Sequence, residues 1–346
     1  MYIDYFGFTA DPFQLTPNPK LFFPSSVHNR AKAYLEYGLN QGEGFIVITG
    51  EVGAGKTTLV THLLSALDSE KYVAATIVTS QLGGEEVLRM AAQSFGLKPQ
   101  SGDKVDLIAQ ISDFLREKHD DGRRCLLIVD EAQNLSFQAL EELRMLSNIQ
   151  VEDRTPLQSF LVGQPEFRGT MARADLEQLR QRVIASYHLT NVSEDETRGY
   201  IEYRLREAGW TSKPTFEDET FAAIYAHTGG IPRKINVLTS RLLLYLYLND
   251  ETVITPEIVE TVSDDLDQES AMFQPVENAG AASKGDDAIA AKPLLAGSED
   301  MHDLLERLND MEERVRYLEQ TIDSYRDAVR KGLQTAQRSL RKKPRL

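Results

Sequence analysis

The chain has 346 residues, 41% of them hydrophobic and 26% charged, and a formal net charge of −15. That is length enough for two domains plus appendages and the composition of a globular protein; no run approaches the ~20 apolar residues of a membrane span, and the start, MYIDYFGFTADPF, lacks the basic and apolar regions of a secretory signal. The acidic total argues against nucleic acid as the principal ligand, and a single cysteine, Cys125, excludes an internal disulfide, so the expected setting is the cytoplasm.

In chain order, residues 1–40 form an entry segment rich in proline and aromatics (Tyr2, Tyr5, Phe6, Phe8, Phe13, Phe22, Phe23). Residues 41–190 alternate apolar runs with amphipathic stretches of helical period, which reads as an α/β domain of βαβ units around a parallel sheet. The strand candidates are Phe45–Thr49, Tyr72–Thr79, Cys125–Val129, Gln158–Val162 and Ile184–Leu189, apolar enough to be covered on both faces. Residues 191–263 read as helices only. Asn191 or Ser193 caps a helix opening on Glu194, Asp195 and Glu196, acids that suit a helix N-terminus. A second helix starts near Glu217, a third runs from Pro232 to Tyr247, and Pro256 fits the first turn of a short last one.

Residues 264–299 turn to Ala, Gly, Ser, Asp and Lys, the composition of a flexible linker. Within 300–340, Met301, Leu304, Leu308, Met311, Val315, Leu318, Ile322, Tyr325 and Val329 recur at alternating spacings of three and four, a seam of about four heptads. This predicts a coiled-coil helix, followed by a basic tail from Lys331 to Arg345. A surface helix folded back on the preceding domain would show the same pattern.

The strongest chemical signal is Gly50-Glu51-Val52-Gly53-Ala54-Gly55-Lys56-Thr57, followed by Thr58: a full GxxxxGK[ST] phosphate-binding loop. An apolar strand candidate runs into it and a helix candidate runs out, as the mechanism requires. Glycines let the backbone wrap phosphate with successive N–H groups pointing inward, and the helix N-terminus adds its positive end. Lys56 then neutralises the β- and γ-phosphates, and the Thr57 hydroxyl is placed to ligate Mg²⁺. Such a loop predicts a partner acid at the end of another buried strand. Leu126-Leu127-Ile128-Val129 leads into Asp130-Glu131. Asp130 would hold Mg²⁺ through its water shell, and Glu131 would orient or deprotonate the attacking water. No Asn-Lys-x-Asp motif for guanine occurs, so ATP is the expected nucleotide.

Here the chain resembles the AAA+ superfamily, and within it the ATPases of the ExeA or general-secretion-pathway A type, including those encoded beside exosortase (PEP-CTERM) and exopolysaccharide loci. The resemblance rests on Tyr5-Phe-Gly-Phe, Asp11-Pro-Phe and Leu15-Thr-Pro, then Gly44 to Thr58, then Leu127-Ile-Val-Asp-Glu-Ala-Gln133. It continues through Glu141 to Asn148, Gly163-Gln-Pro-Glu-Phe167, Leu176 to Arg182 and Gly229-Gly-Ile-Pro-Arg233, over about residues 1–262. It implies a P-loop AAA+ parallel-sheet domain with a C-terminal all-helical lid. By the same resemblance, Arg182 or Arg180 before the fifth strand reaches the neighbouring subunit's γ-phosphate. Arg233 becomes the lid's sensor of that phosphate and Gln164 the first sensor, in place of the usual Asn or Thr. The implied partners are further copies of the chain, joined through the AAA+ domain and the coiled coil, and export or polysaccharide machinery at the inner membrane. Relatives of the general-secretion type carry a membrane span and a peptidoglycan-binding domain after the ATPase; neither is seen in these residues, so no cell-wall role is expected.

Six histidines are scattered without metal-ligand spacing and read as solvated or core residues. Two other functions stay open at this point: a DNA-associated AAA+ ATPase of the transposition or initiator type, and a coiled-coil scaffold whose conformation nucleotide sets.

Overall fold

Five apolar runs become one parallel sheet: β1 (Phe45–Gly50), β2 (Tyr72–Val78), β3 (Arg124–Asp130), β4 (Leu157–Gly163) and β5 (Val183–Leu189), in the order β2-β3-β4-β1-β5. The computed structural model describes residues 2–272 apart from 17, 79–81, 99–102 and 153, and side chains as far as residue 269. The expected linker beyond residue 272, the coiled coil and the basic tail lie outside the described residues.

Side chains alternate across each strand, so consecutive residues enter opposite cores. Phe45, Val47, Leu127, Val129 and Leu161 pack with α4 (Gly84–Ser94), α5 (Lys104–Asp120) and α6 (Phe137–Leu146). Ile46, Ile48, Leu126, Ile128 and Phe160 pack with α2 (Ser26–Gln41) and α3 (Lys56–Ser65). Coverage on both faces holds for β1, β3 and β4. It fails for the edge strands: Ala74, Thr76 and Val78 of β2 and Ser186 of β5 are exposed, because the helices of each core pack over the central strands and leave the borders of the sheet partly open. Cys125 sits inside the first core, where burial pushes its thiol up to about 12, the behaviour of a small inert hydrophobe.

The lid contains α9 (Glu194–Glu207), α10 (Asp218–Thr228), α11 (Pro232–Asn249) and α12 (Pro256–Met272). Ser193 is the residue that caps α9, its hydroxyl accepting from the Glu196 N–H at 3.3 Å. Two expectations need correction. The lid is not helical throughout: β6 (Thr215–Phe216) and β7 (Val253–Ile254) pair in parallel, tying the segments before α10 and α12 together. And α12 is not short: it runs through the first nine residues assigned to the linker. Leu266 packs on the lid core and Glu269 pairs with Arg241 at 2.8 Å, so the helix keeps tertiary partners where composition alone suggests none.

The entry segment is not a separate unit. Its short helix α1 (Tyr2–Phe6), with Phe8 and Phe13, is built into the lid core beside Leu205 and Leu243, whereas Phe22 and α2 belong to the core under β1. Residues between them therefore pass as a strap from lid to sheet. Two short helices, α7 (Glu166–Met171) and α8 (Glu177–Arg180), lead from β4 into β5.

Candidate active site

β1, β4 and β3 are consecutive in the sheet, so the loops leaving their carboxyl ends converge. After β1 comes the loop to α3, whose first residue is Lys56. Gly53, at φ +84°, lies against the lid: a Cβ there would stand 2.5 Å from the Arg233 Cβ. The Arg233 N–H donates to the Gly53 carbonyl at 3.2 Å, so loop and lid meet backbone to backbone. Lys56, only 8% exposed, donates to the carbonyls of Gly50 (2.7 Å) and Glu51 (2.9 Å). Burial pulls its ammonium below the usual lysine range, and Glu131 and Asp130 oppose that shift.

At the end of β3, Thr57 Oγ1 donates to Asp130 Oδ2 at 2.7 Å, and Asp130 Oδ1 accepts the Glu131 N–H at 2.9 Å. Glu131 adopts the left-handed conformation, φ 56°, a non-glycine geometry that costs energy and turns the chain sharply into the site. Its Oε2 accepts from the side-chain amides of Gln133 (2.5 Å) and Gln164 (3.1 Å), the latter just beyond β4. Hydrogen bonding from Gln133 first, then Gln164, with the charge of Lys56, holds the Glu131 carboxyl below the usual range, so it is ionised near neutral pH.

Among the described residues no cluster of three or more His, Cys, Asp or Glu side chains could hold a metal ion. Mg²⁺ carried by a nucleotide needs less: one or two protein oxygens, with phosphate and water completing its shell. The converging Thr57 hydroxyl and Asp130 carboxylate fit that requirement. A cavity extends from the loop, lined by Lys56, Thr57, Glu131, Gln164 and Arg233, toward the strap residues Gln14–Thr16 and the lid's Tyr200 and Asn236.

A family model described as an AAA domain matches residues 39–171, the stretch holding the loop, Asp130, Glu131 and Gln164. The chain is 37% identical over 245 residues to general secretion pathway protein A of Aeromonas hydrophila. It carries the AAA domain and over the matched residues is similar to the AAA+ ATPases of that type. The match covers 70% of this chain and 44% of the Aeromonas protein, so the chain spans less than half the length of that relative. Two solved structures share the fold: Cdc6p of Pyrobaculum aerophilum (TM-score 0.61, 17% identity, 78% of this chain and 75% of that one) and ORC2 of Aeropyrum pernix (0.59, 18%, 75% and 72%).

In this chain the predicted residues Gly50 to Thr58, Asp130, Glu131, Gln164 and Arg233 share one end of the sheet. Arg180 and Arg182 do not: they precede β5, at the amino ends of the strands, where the Arg182 carbonyl accepts the Phe45 N–H at 2.8 Å. Arg182 Nη1 donates to the Ser147 carbonyl (2.9 Å) and hydroxyl (3.1 Å). Arg180 Nη1 donates to the carbonyls of Met171 and Arg173.

Sequence reasoning missed three contributors. The strap forms a wall of the cavity, anchored by Arg204, only 7% exposed, which donates to the carbonyls of Pro12 (2.7 Å) and Gln14 (3.2 Å) and to the Tyr200 hydroxyl (2.8 Å). His28, read as an ordinary histidine, bonds Ser25 Oγ through Nδ1 at 2.6 Å and also hydrogen-bonds the Ala54 backbone inside the phosphate loop. Gln133 lies within the Leu127–Gln133 motif, but nothing in its spacing assigns it a partner. The one available signal for the strap was the dense aromatic content of the segments on either side of it, which marks buried packing without saying against what.

Proposed function

We propose that this chain binds ATP with Mg²⁺ at Gly50–Thr58 and hydrolyses it, working as an oligomer that drives or switches the export or assembly of extracellular polysaccharide or secreted proteins, in a system of the general-secretion or exosortase (PEP-CTERM) type. The observation that carries the chemistry is the convergence of Lys56, Thr57, Glu131, Gln164 and Arg233 on one cavity, with Asp130 bonded to Thr57 behind it. The process rests on the likeness to the Aeromonas secretion protein. A place at the cytoplasmic face of the inner membrane, as a peripheral partner of that machinery, agrees with it; no described helix is long and apolar enough to cross a membrane.

Loop N–H groups and Lys56 cradle the phosphates, Lys56 exchanging its loop carbonyls for phosphate oxygens. Thr57 and Asp130 would hold Mg²⁺, which would supply neutralising charge at the phosphates. Glu131, ionised and fixed, accepts a proton from the attacking water. Gln164 and, from the lid, Arg233 contact the γ-phosphate, and because Arg233 rests on Gly53 its engagement couples nucleotide state to lid position. The adenine lies between the strap and the lid face of Tyr200 and Asn236. Either Arg182 or Arg180 is supplied to the next subunit's phosphate.

Two substitutions test the site. Lys56→Ala is expected to lose ATP binding in a fluorescent-nucleotide titration, since it touches phosphate in the ground state. Glu131→Gln is expected to bind ATP normally and turn it over about 10²–10⁴-fold more slowly, the worth of a general base. Parent-rate phosphate release by Glu131→Gln would remove Glu131 from the role of base.

A further inference from the structure

Three side-chain and backbone groups close a ring at the carboxyl ends of β3 and β4. Gln133 Nε2 donates to Glu131 Oε2 at 2.5 Å, Gln164 Nε2 donates to the same oxygen at 3.1 Å, and Gln133 Oε1 accepts the Gln164 backbone N–H at 2.9 Å. The amide of Gln133 thus spends its donor on the base and its acceptor on the sensor's backbone. The local chain is shaped for this. Glu131 takes its left-handed turn into a single 3₁₀ turn, Ala132–Asn134, closed by the Asn134 N–H on the Glu131 carbonyl at 2.9 Å. That places Gln133 over β4, where Gly163 leaves room: a Cβ at 163 would meet Gln133 Oε1 and Phe167 Cβ at 3.1 Å each. Gln133 and Gln164 are both half-buried, where a hydrogen bond is stronger than in bulk water.

We propose that Gln133 is a positioning residue for hydrolysis: its amide fixes the Glu131 carboxylate and the Gln164 segment to one another, so that base and γ-phosphate sensor are aligned as a unit. The proposal rests on the reading of Glu131 as the base. Its consequence is read in turnover and not in binding: without the Gln133 amide, the carboxylate and the Gln164 segment lose the tie that sets their mutual geometry.

The experiment measures kcat, KM and ATP affinity for the full chain and for Gln133→Ala and Gln133→Met, the latter keeping length while removing the amide. Both variants are expected to lose kcat on the order of 10- to 100-fold, the scale of a misplaced reacting group. KM and ATP affinity should stay within about two-fold of the parent, since the ground-state contacts are elsewhere. Adding Gln164→Met to Gln133→Met should cost less than the sum of the single effects, because the two act in one network. Parent-like kcat in both variants, while Glu131→Gln is slow, would overturn this inference and leave the base standing. Loss of ATP binding along with kcat in both variants would assign Gln133 a purely structural part and overturn it as well. A parent rate in Glu131→Gln would remove the base and this inference with it.

Discussion

The two ends of the parallel sheet carry the two halves of the expected chemistry, and they differ in how complete they are. At the carboxyl end, Lys56, Thr57, Asp130, Glu131 and Gln164 are already hydrogen-bonded into one arrangement, because β1, β4 and β3 are neighbours. At the amino end, Arg180 and Arg182 donate to carbonyls of their surroundings. The seven residues of β5 separate the two ends by about 20 Å, at ~3.3 Å per residue. No side chain spans that distance. Strand adjacency lets one chain assemble the ground-state half of the site, whereas the arginines can serve a phosphate only if a second copy brings its own loop to them. Arg182 would then give up Ser147 for a charged partner, a gain in hydrogen-bond strength.

The largest effect should come from breaking the amino end. Turnover per subunit is expected to rise with protein concentration, and Arg182→Ala or Arg180→Ala, whichever supplies the charge in trans, should abolish the rise. The loss is of order 10³-fold or more, as for arginine fingers generally, with ATP affinity unchanged. Turnover that stays flat across concentration in the parent would put both arginines out of the reaction.

A smaller effect is expected at the carboxyl end, and it should not depend on concentration. Arg204→Met removes three hydrogen bonds from a buried guanidinium and leaves the Pro12 and Gln14 carbonyls without that donor. Stability should fall by about 2–3 kcal/mol in a urea titration. ATP should bind roughly ten-fold more weakly, equivalent to ~1.4 kcal/mol, as the strap wall loosens. Unchanged affinity at every protein concentration would detach the strap from the nucleotide cavity.

The smallest effect concerns His28. Burial pushes its imidazole below the ordinary histidine value; the Ala54 backbone and the Glu196 carboxylate oppose the shift, and Ser25 Oγ and Phe22 pack beside it. The folded chain therefore holds this site neutral where the unfolded chain is protonated. Its contribution to stability is full above the ordinary value of about 6.5 and is lost progressively as pH falls below it, by at most ~1.4 kcal/mol per pH unit. His28→Gln, which keeps a donor and an acceptor without titrating, should flatten that part of the stability profile between pH 7 and pH 5. An identical slope in the variant would assign the titration to other groups.

Much of the site was legible before the structure. The phosphate loop, Asp130 and Glu131 could be read because each sits at the junction of an apolar run with a polar turn, and local spacing carries that information. Arg233 and Gln164 could be read only through family resemblance. The strap, His28 and Gln133 were not legible: each depends on a pairing distant along the chain, Arg204 with Pro12, His28 with Ala54 and Gln133 with Gln164, and no local period records such pairings. The lid boundary failed for a related reason. The acidic, serine-containing stretch after residue 263 has linker composition, yet Leu266 and Glu269 find partners on the lid.

By itself the sequence determined the five core strands, the order of motifs along them and the chemistry of the loop, because hydrophobic period and residue type act over a few residues. Tertiary structure decided the rest. The order β2-β3-β4-β1-β5 sets Glu131, Gln133 and Gln164 side by side and carries Arg180 and Arg182 to the far end of the sheet. The burial of α1 in the lid stretches the entry segment across the nucleotide cavity. Both arise from which apolar faces must be covered by which elements, a condition on the whole chain that no short window of it contains.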